Sequence, residues 1–167
     1  KSSQNKLINE IEVAIDQNWL SGFLKKIELA YKKAPNYDKV VELIKNTLTV
    51  EKTFISTLAI KSVILISEYL ELNTEFKISS QNFSDSRGLE KADRLIEITK
   101  KLAGDTYVNP IGGTELYNKD YFNSQNIRLQ FINPQSAPYK QFENQFVEGL
   151  SIIDVLMFNS KEELKKL

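Results

Sequence analysis

Three stretches of the chain carry residues whose types and spacing could do chemistry. In DTYVNPIGG, Asp105 to Gly113, a short strand-like run, TYV, leads into Asn109, Pro110 and a glycine pair. At the carboxyl end of a parallel strand, such a loop can present backbone N–H groups, and its glycines let a phosphate or sugar come close. The same residues also make a tight turn, with Pro110 fixing one angle and Gly112 or Gly113 supplying a positive φ. The loop is neither GxGxxG nor a P-loop, because no GKS or GKT follows it. On the residues alone, the turn is favoured.

In SIIDVLMF, Ser151 to Phe158, Asp154 stands among large apolar side chains. A buried carboxyl can serve as a general acid or base. Ser151 and Asp154 also have the Ser-x-x-acid spacing of a capping box, which satisfies helix N–H groups, and this reading is favoured. Arg94 lies on an amphipathic segment whose other charges are mainly Lys and Glu. Its planar fork suits a phosphate or carboxylate, although an isolated Arg on such a helix is more often solvated or salt-bridged. Aromatic residues crowd the last third of the chain. Phe122, Phe142 and Phe146 read as packing, while Tyr107, Tyr117 and Tyr139 stay open to stacking on a sugar or bonding to it.

What is absent narrows the chemistry further. The chain has no His and no Cys, so a Ser-His-Asp or Cys-His mechanism cannot be assembled, nor a zinc–thiolate site. Acid–base work falls to Asp, Glu, Lys or Tyr. No DxD pattern argues for a metal. Lys plus Arg and Asp plus Glu each total 22, so no basic excess points to nucleic acid. The most apolar segment, Phe54 to Leu72, contains Lys61, Glu68 and Glu71 and does not read as a membrane span. The lack of Cys fits a reducing, cytoplasmic setting.

The elements that must position these residues can be read from periodicity. Leu7 to Val13 alternates and reads as a strand. Asp16 or Asn18 can cap a helix through Trp19, Phe23, Leu24, Ile27 and Tyr31, which Pro35 ends; Asn36 offers a cap for the next helix, bearing Val40, Val41, Ile44 and Leu48. Val50 to Leu72 reads as a helix apolar around most of its circumference, hence buried on more than one side. Thr74 to Ser79 reads as a strand and Gln81 to Gly88 as a loop. Leu89 to Ala103 reads as a helix stopped by a left-handed Gly104. A strand at TYV, a short helix near Lys119–Ser124 and a strand at Ile127–Ile132 follow, an order that argues for parallel pairing with helical crossovers. Beyond Pro134 the chain loses regularity. Ser151–Phe158 then reads as a short buried helix, and Ser160 caps a last one.

Several of these stretches are familiar together: AYKKAP (Ala30–Pro35), SSQN (Ser79–Asn82), DRLIEITKKLAGDTYVNPIGG (Asp93–Gly113), ELYNKDYF (Glu115–Phe122), NIRLQFI (Asn126–Ile132) and LSIIDVLMFNS (Leu150–Ser160). In them, over essentially its whole length, the chain resembles the WbqC-like family of bacteria. The resemblance implies an α/β, nucleotidyltransferase-like core and a place among surface-polysaccharide loci, whose members are suspected transferases or amino-sugar enzymes. It also implies an opening strand and loop, with Gln-Pro and Pro-x-x-Gly-Tyr patterns, that this sequence does not show. Recurrent family positions fall on Arg94, Tyr107, Asn109, Gly112, Tyr117, Ser151 and Asp154.

The expectation is therefore one α/β domain over 1–167, N-terminally incomplete, helix-rich with a mainly parallel, Rossmann-like sheet. Its function is expected to be an enzymatic step on a nucleotide- or acyl-activated sugar. Arg94, Tyr107, Asn109, Gly112, Gly113 and Tyr117 would contact the substrate, and no catalytic residue or cofactor is assigned. The partner would be a small sugar or nucleotide, with no nucleic acid and no membrane span. The alternative is a non-catalytic binding or assembly module that exposes an apolar patch around Tyr139–Phe146.

Overall fold

A computed structural model describes residues 5–13, 15–48, 53–143 and 145–165. In chain order its elements are β1 (Glu12–Val13), α1 (Gln17–Tyr31), α2 (Tyr37–Leu48), β2 (Thr53–Phe54), α3 (Ile55–Tyr69), α4 (Ser79–Asn82), α5 (Lys91–Lys101), β3 (Thr106–Pro110), α6 (Lys119–Ser124), β4 (Arg128–Ile132), α7 (Ile152–Phe158) and α8 (Lys161–Leu164), with short 3-10 turns between. They gather into two compact units, one of Lys1–Thr74 with Ser136–Leu167 and one of Glu75–Gln135.

In the first unit, Asp16 caps α1 as its sequence position suggests, its carboxylate accepting the Trp19 N–H at 2.7 Å. Asn36 behaves differently from the expected side-chain cap. Its backbone carbonyl accepts Val40 N–H, whereas its side-chain amide donates to the carbonyls of Leu156 and Asn159 at 3.1 and 2.9 Å, and its own N–H reaches Met157 O. A short helix such as α7 leaves its last carbonyls without internal partners, and Asn36 fills that need. Ala34, Val40, Ile44, Leu156 and Met157 form the buried core, with Phe23, Leu24, Ile27 and Ile66 packed around them.

The predicted Leu7–Val13 strand shrinks to its last two residues, which pair antiparallel with β2, Glu12 opposite Phe54 and Val13 opposite Thr53. Upstream, the Glu10 carboxylate folds back to accept the Leu7 N–H at 3.1 Å, and that local bond makes a 3-10 turn instead. α3 is less enclosed than its composition suggests. Only Ser67 on it is buried, and Val63 stays 52% exposed. The start of the predicted helix at Val50–Lys52 lies outside the described residues.

In the second unit, the predicted Thr74–Ser79 strand does not form. Lys77 pairs with Glu75, two residues away, and Asn82 Oδ1 accepts the Ile78 N–H to open α4 where a polar loop was expected. α5 ends in a turn whose left-handed residue is Ala103, φ 53°, rather than Gly104. Ala103 N–H donates to Lys100 O and Gly104 N–H to Thr99 O, the two bonds of a Schellman stop. Gly104 serves close packing instead, since a Cβ there would meet Thr99 Cγ2 at 3.2 Å.

β3 and β4 pair in parallel, Thr106 opposite Arg128 through Pro110 opposite Ile132, with α6 in the crossover between them. Asn118 caps α6 by accepting the Tyr121 N–H at 3.0 Å. The inward face carries Leu129 over Ile96, Phe122 and Ile127. The mainly parallel, Rossmann-like sheet expected from the element order is not formed among the described residues. They hold one parallel and one antiparallel pair of two strands each, because the 74–79 segment bonds locally instead of supplying a third strand. Helix-rich α/β is the correct description.

Candidate functional site

Tyr107 and Asn109 are two residues apart on β3 and share its inner face. The Tyr107 hydroxyl donates to Asn109 Oδ1 at 3.0 Å, and Asn109 Nδ2 donates to Pro110 O at 3.1 Å. Burial, and then the neighbouring Tyr117, raise the pKa of Tyr107 and keep its hydroxyl a donor. The Tyr117 ring meets Tyr107 edge-on at 6.4 Å, and Phe122 stacks on Tyr107 at 5.8 Å. Gly113 O then accepts the N–H groups of Leu116 and Tyr117, turning the chain into α6.

The glycine pair works by space, not by handedness. Neither Gly112 nor Gly113 has a positive φ, contrary to the turn anticipated from sequence; residues Ile111–Gly113 form a 3-10 turn. Gly113 is buried, and a Cβ on it would lie 1.9 Å from Asn109 Nδ2. Around Gly112 a Cβ would meet nothing within 4 Å, so its backbone is open to solvent. One glycine locks the loop and the other leaves it approachable.

Of the expected contact residues, the structure thus gathers Tyr107, Asn109, Gly113 and Tyr117, with Gly112 on the outer side of the same turn. Arg94 has a different partner. It is half-buried, and its Nε donates to Ser86 Oγ at 3.2 Å, while the buried Ser86 hydroxyl donates to Phe83 O at 2.6 Å. The guanidinium is thereby oriented, and among the described residues it has no ion pair. Its neighbour Asp93 accepts the Tyr121 hydroxyl.

Tyr139 belongs to the first unit and to a different cluster. Asp154 is 4% exposed; its Oδ2 accepts the Tyr31 hydroxyl at 2.9 Å, and its Oδ1 accepts the Tyr139 hydroxyl at 2.7 Å and Gln141 Nε2 at 2.9 Å. The capping-box reading of Ser151–Asp154 is overturned. Ser151 Oγ does cap α7, accepting the Ile153 N–H, but the Asp154 carboxylate turns inward to three donors. Desolvation, then the bond to Asp154, push the Tyr31 hydroxyl up to about 12, and the same causes raise Tyr139. Tyr31 and Gln141 were invisible as partners because each lies far from Asp154 along the chain and neither spacing carries a local signal. Nor do Tyr139, Phe142 and Phe146 form the exposed patch anticipated for a binding module. Tyr139 and Phe146 pack edge-on at 5.1 Å, and Phe142 meets Phe158 at 4.7 Å.

The family model described as the WbqC-like protein family matches residues 1–166, nearly the whole chain. The chain belongs to the WbqC-like family. No curated protein and no solved structure matches it. In this WbqC-like protein no helix of the described residues is long and apolar enough to cross a membrane.

Two outcomes follow from this geometry. Gly113→Ala displaces the Asn109 amide and costs roughly 1–3 kcal/mol in urea unfolding, whereas Gly112→Ala is neutral within about 0.5 kcal/mol. Equal effects of the two changes contradict the interlock. The second concerns alkaline pH. Unfolded tyrosine titrates near about 10 and folded Tyr31 at about 12, so the unfolded chain loses its proton first. The stability Tyr31 contributes is complete below the lower value and is lost as pH rises through the upper one. The urea midpoint of Tyr31→Phe should fall less steeply across that window than that of the unsubstituted protein. Parallel slopes would show that the Asp154 bond does not hold the hydroxyl.

Proposed function

We propose that this WbqC-like protein is an enzyme of bacterial surface-polysaccharide biosynthesis that acts, as a transferase, on a nucleotide- or acyl-activated amino sugar. The observation that carries the reading is the Asn109–Gly113 turn at the carboxyl end of a strand in a parallel pair, the position at which α/β proteins meet their ligands. Three features support it. Gly112 leaves backbone open where a phosphate or sugar can approach. Tyr107 and Tyr117 supply ring edges and hydroxyls beside it. Arg94, oriented by Ser86, offers a guanidinium for an anion.

With neither His nor Cys in the chain, rate enhancement rests on positioning the two reactants and on stabilising developing charge with fixed dipoles. The Tyr107–Asn109–Gly113 interlock suits that role, because it fixes the Asn109 amide before any ligand arrives. The family's association with surface-polysaccharide loci supplies the substrate class.

Thermal-shift and calorimetric binding with nucleotide sugars and with acyl-coenzyme A donors tests the reading. A ligand of one of these classes should stabilise the protein. Gly112→Val, Asn109→Ala and Arg94→Gln should each weaken that ligand by about tenfold, a loss of about 1.4 kcal/mol. If no member of either class binds, or if all three variants bind as the parent does, the site is misplaced.

A further inference from the structure

We infer that the outward face of α1 is a docking surface for an anionic lipid bilayer. This goes beyond the activity proposed above and rests on a different unit of the protein. The inner side of α1 carries Phe23, Leu24, Ile27 and Tyr31 against the core. At about 100° per residue, Trp19, Lys25, Lys26 and Leu29 fall within a wedge of roughly 120° on the opposite side, and Lys32 and Lys33 follow in the turn just past the helix end, lining one groove with Lys25 and Leu29. All six are exposed, and Leu29, 77% exposed, is the most exposed large hydrophobic residue described.

No Asp or Glu lies in that wedge. The single acid between Trp19 and Lys33 is Glu28, at its margin, and its carboxylate is already held by Lys25 at 2.8 Å and Lys32 at 2.9 Å. Those hydrogen bonds, with the lysines' charge, bring it down to about 2. Lys26 and Lys33 have no ion pair among the described residues. The whole chain is neutral, with 22 basic and 22 acidic residues. Four lysines on one face therefore make a local positive field rather than part of a general excess.

Beside this face runs an open groove of about 760 Å³, walled by Lys25, the lysine-paired Glu28 and Leu29 on α1, by Lys32 and Lys33 just past it, and by Phe142 and Glu143. Glu143 pairs with Lys140 at 3.5 Å, so it adds little negative charge. An apolar floor under a lysine rim fits a phosphodiester headgroup with its glycerol backbone.

The apolar residues decide between lipid and other polyanions. A nucleic acid is held by cations and arginine forks and gains nothing from an exposed leucine. A bilayer interface takes up both Leu29 and the half-exposed Trp19 indole, which stacks on Phe23 at 5.3 Å and has an amphipathic ring suited to the headgroup layer.

Flotation of the full chain with vesicles tests this directly. Phosphatidylglycerol–phosphatidylethanolamine vesicles should retain the protein at low salt, pure phosphatidylcholine should not, and high salt should release it. Lys26→Gln/Lys33→Gln should lower partitioning about 25-fold. Leu29→Ser should lower it about tenfold. These substitutions are on the surface, and unchanged thermal melting would confirm that both variants fold. The inference is overturned by no retention on phosphatidylglycerol vesicles, by equal binding to phosphatidylcholine, or by variants that partition like the parent. Heparin binding that survives Leu29→Ser, with vesicle binding absent, also overturns it and assigns the face to a soluble polyanion.

Discussion

A carboxylate taken out of water costs several kcal/mol unless its oxygens find donors. Asp154 meets that condition without a cation. Two tyrosine hydroxyls and one side-chain amide converge on its two oxygens, and bonds to an ionised acceptor are stronger than neutral ones. Tyr31 lies far from Asp154 along the chain, while Tyr139 and Gln141 sit together in one stretch, so the bond set joins the last turn of α1, the irregular stretch after Pro138, and α7. Gln141 extends the hold, with Oε1 accepting the Val147 N–H at 2.7 Å and Nε2 donating to Val147 O at 3.1 Å. Phe142 next to it keeps a left-handed backbone, φ 47°, that a bulky residue tolerates only when its surroundings demand it. Leu156 and Met157, the best-buried residues of α7, stay in the core because Asp154 on one side and Asn36 at its carboxyl end fix that short helix.

The second unit relies on shape where the first relies on charge. Its parallel pair is short, and a two-stranded sheet has little stability of its own. Stability comes from the α5 and α6 side chains packed on one face and from the interlock of Tyr107, Asn109 and Gly113. That interlock also gives the candidate site its rigidity. Asn109 satisfies Tyr107 and the backbone at once and cannot swing away without displacing what lies over Gly113. Groups that present fixed dipoles to a ligand work best when packing holds them, and this one is held on all sides but the outer.

How much of this was legible in the sequence varies with the range of the interaction involved. α1 and its Asp16 cap, α6 and the Ser160 cap were readable because each is decided within a few residues, and the parallel β3–β4 pair because a helix separates its strands in the chain. Of the six residues expected to contact a substrate, Tyr107, Asn109, Gly113 and Tyr117 lie close along the chain and pack together, while Arg94 bonds elsewhere. The wide sheet was not foreseen correctly. TEFKIS has the composition of a strand, but pairing requires a neighbour, and the Lys77–Glu75 and Asn82–Ile78 bonds took its place. The glycine pair was identified as a turn for the wrong physical cause, since steric room next to Asn109, rather than backbone handedness, selects Gly113. Asp154 was misread because Ser-x-x-Asp spacing describes a local cap equally well. Its true partners, Tyr31, Tyr139 and Gln141, are a matter of tertiary packing.

We propose that ligand binding by this WbqC-like protein is centred on the Asn109–Gly113 turn and not on the Asp154 cluster. Amide chemical shifts recorded while a binding nucleotide sugar or acyl donor is titrated into the protein address it residue by residue. Saturable shifts are expected at Asn109, Gly112, Gly113 and Tyr117, with the Arg94 side chain responding and Val147 and Asp154 unmoved. Shifts concentrated at Tyr139, Val147 and Asp154, with the turn silent, would contradict it.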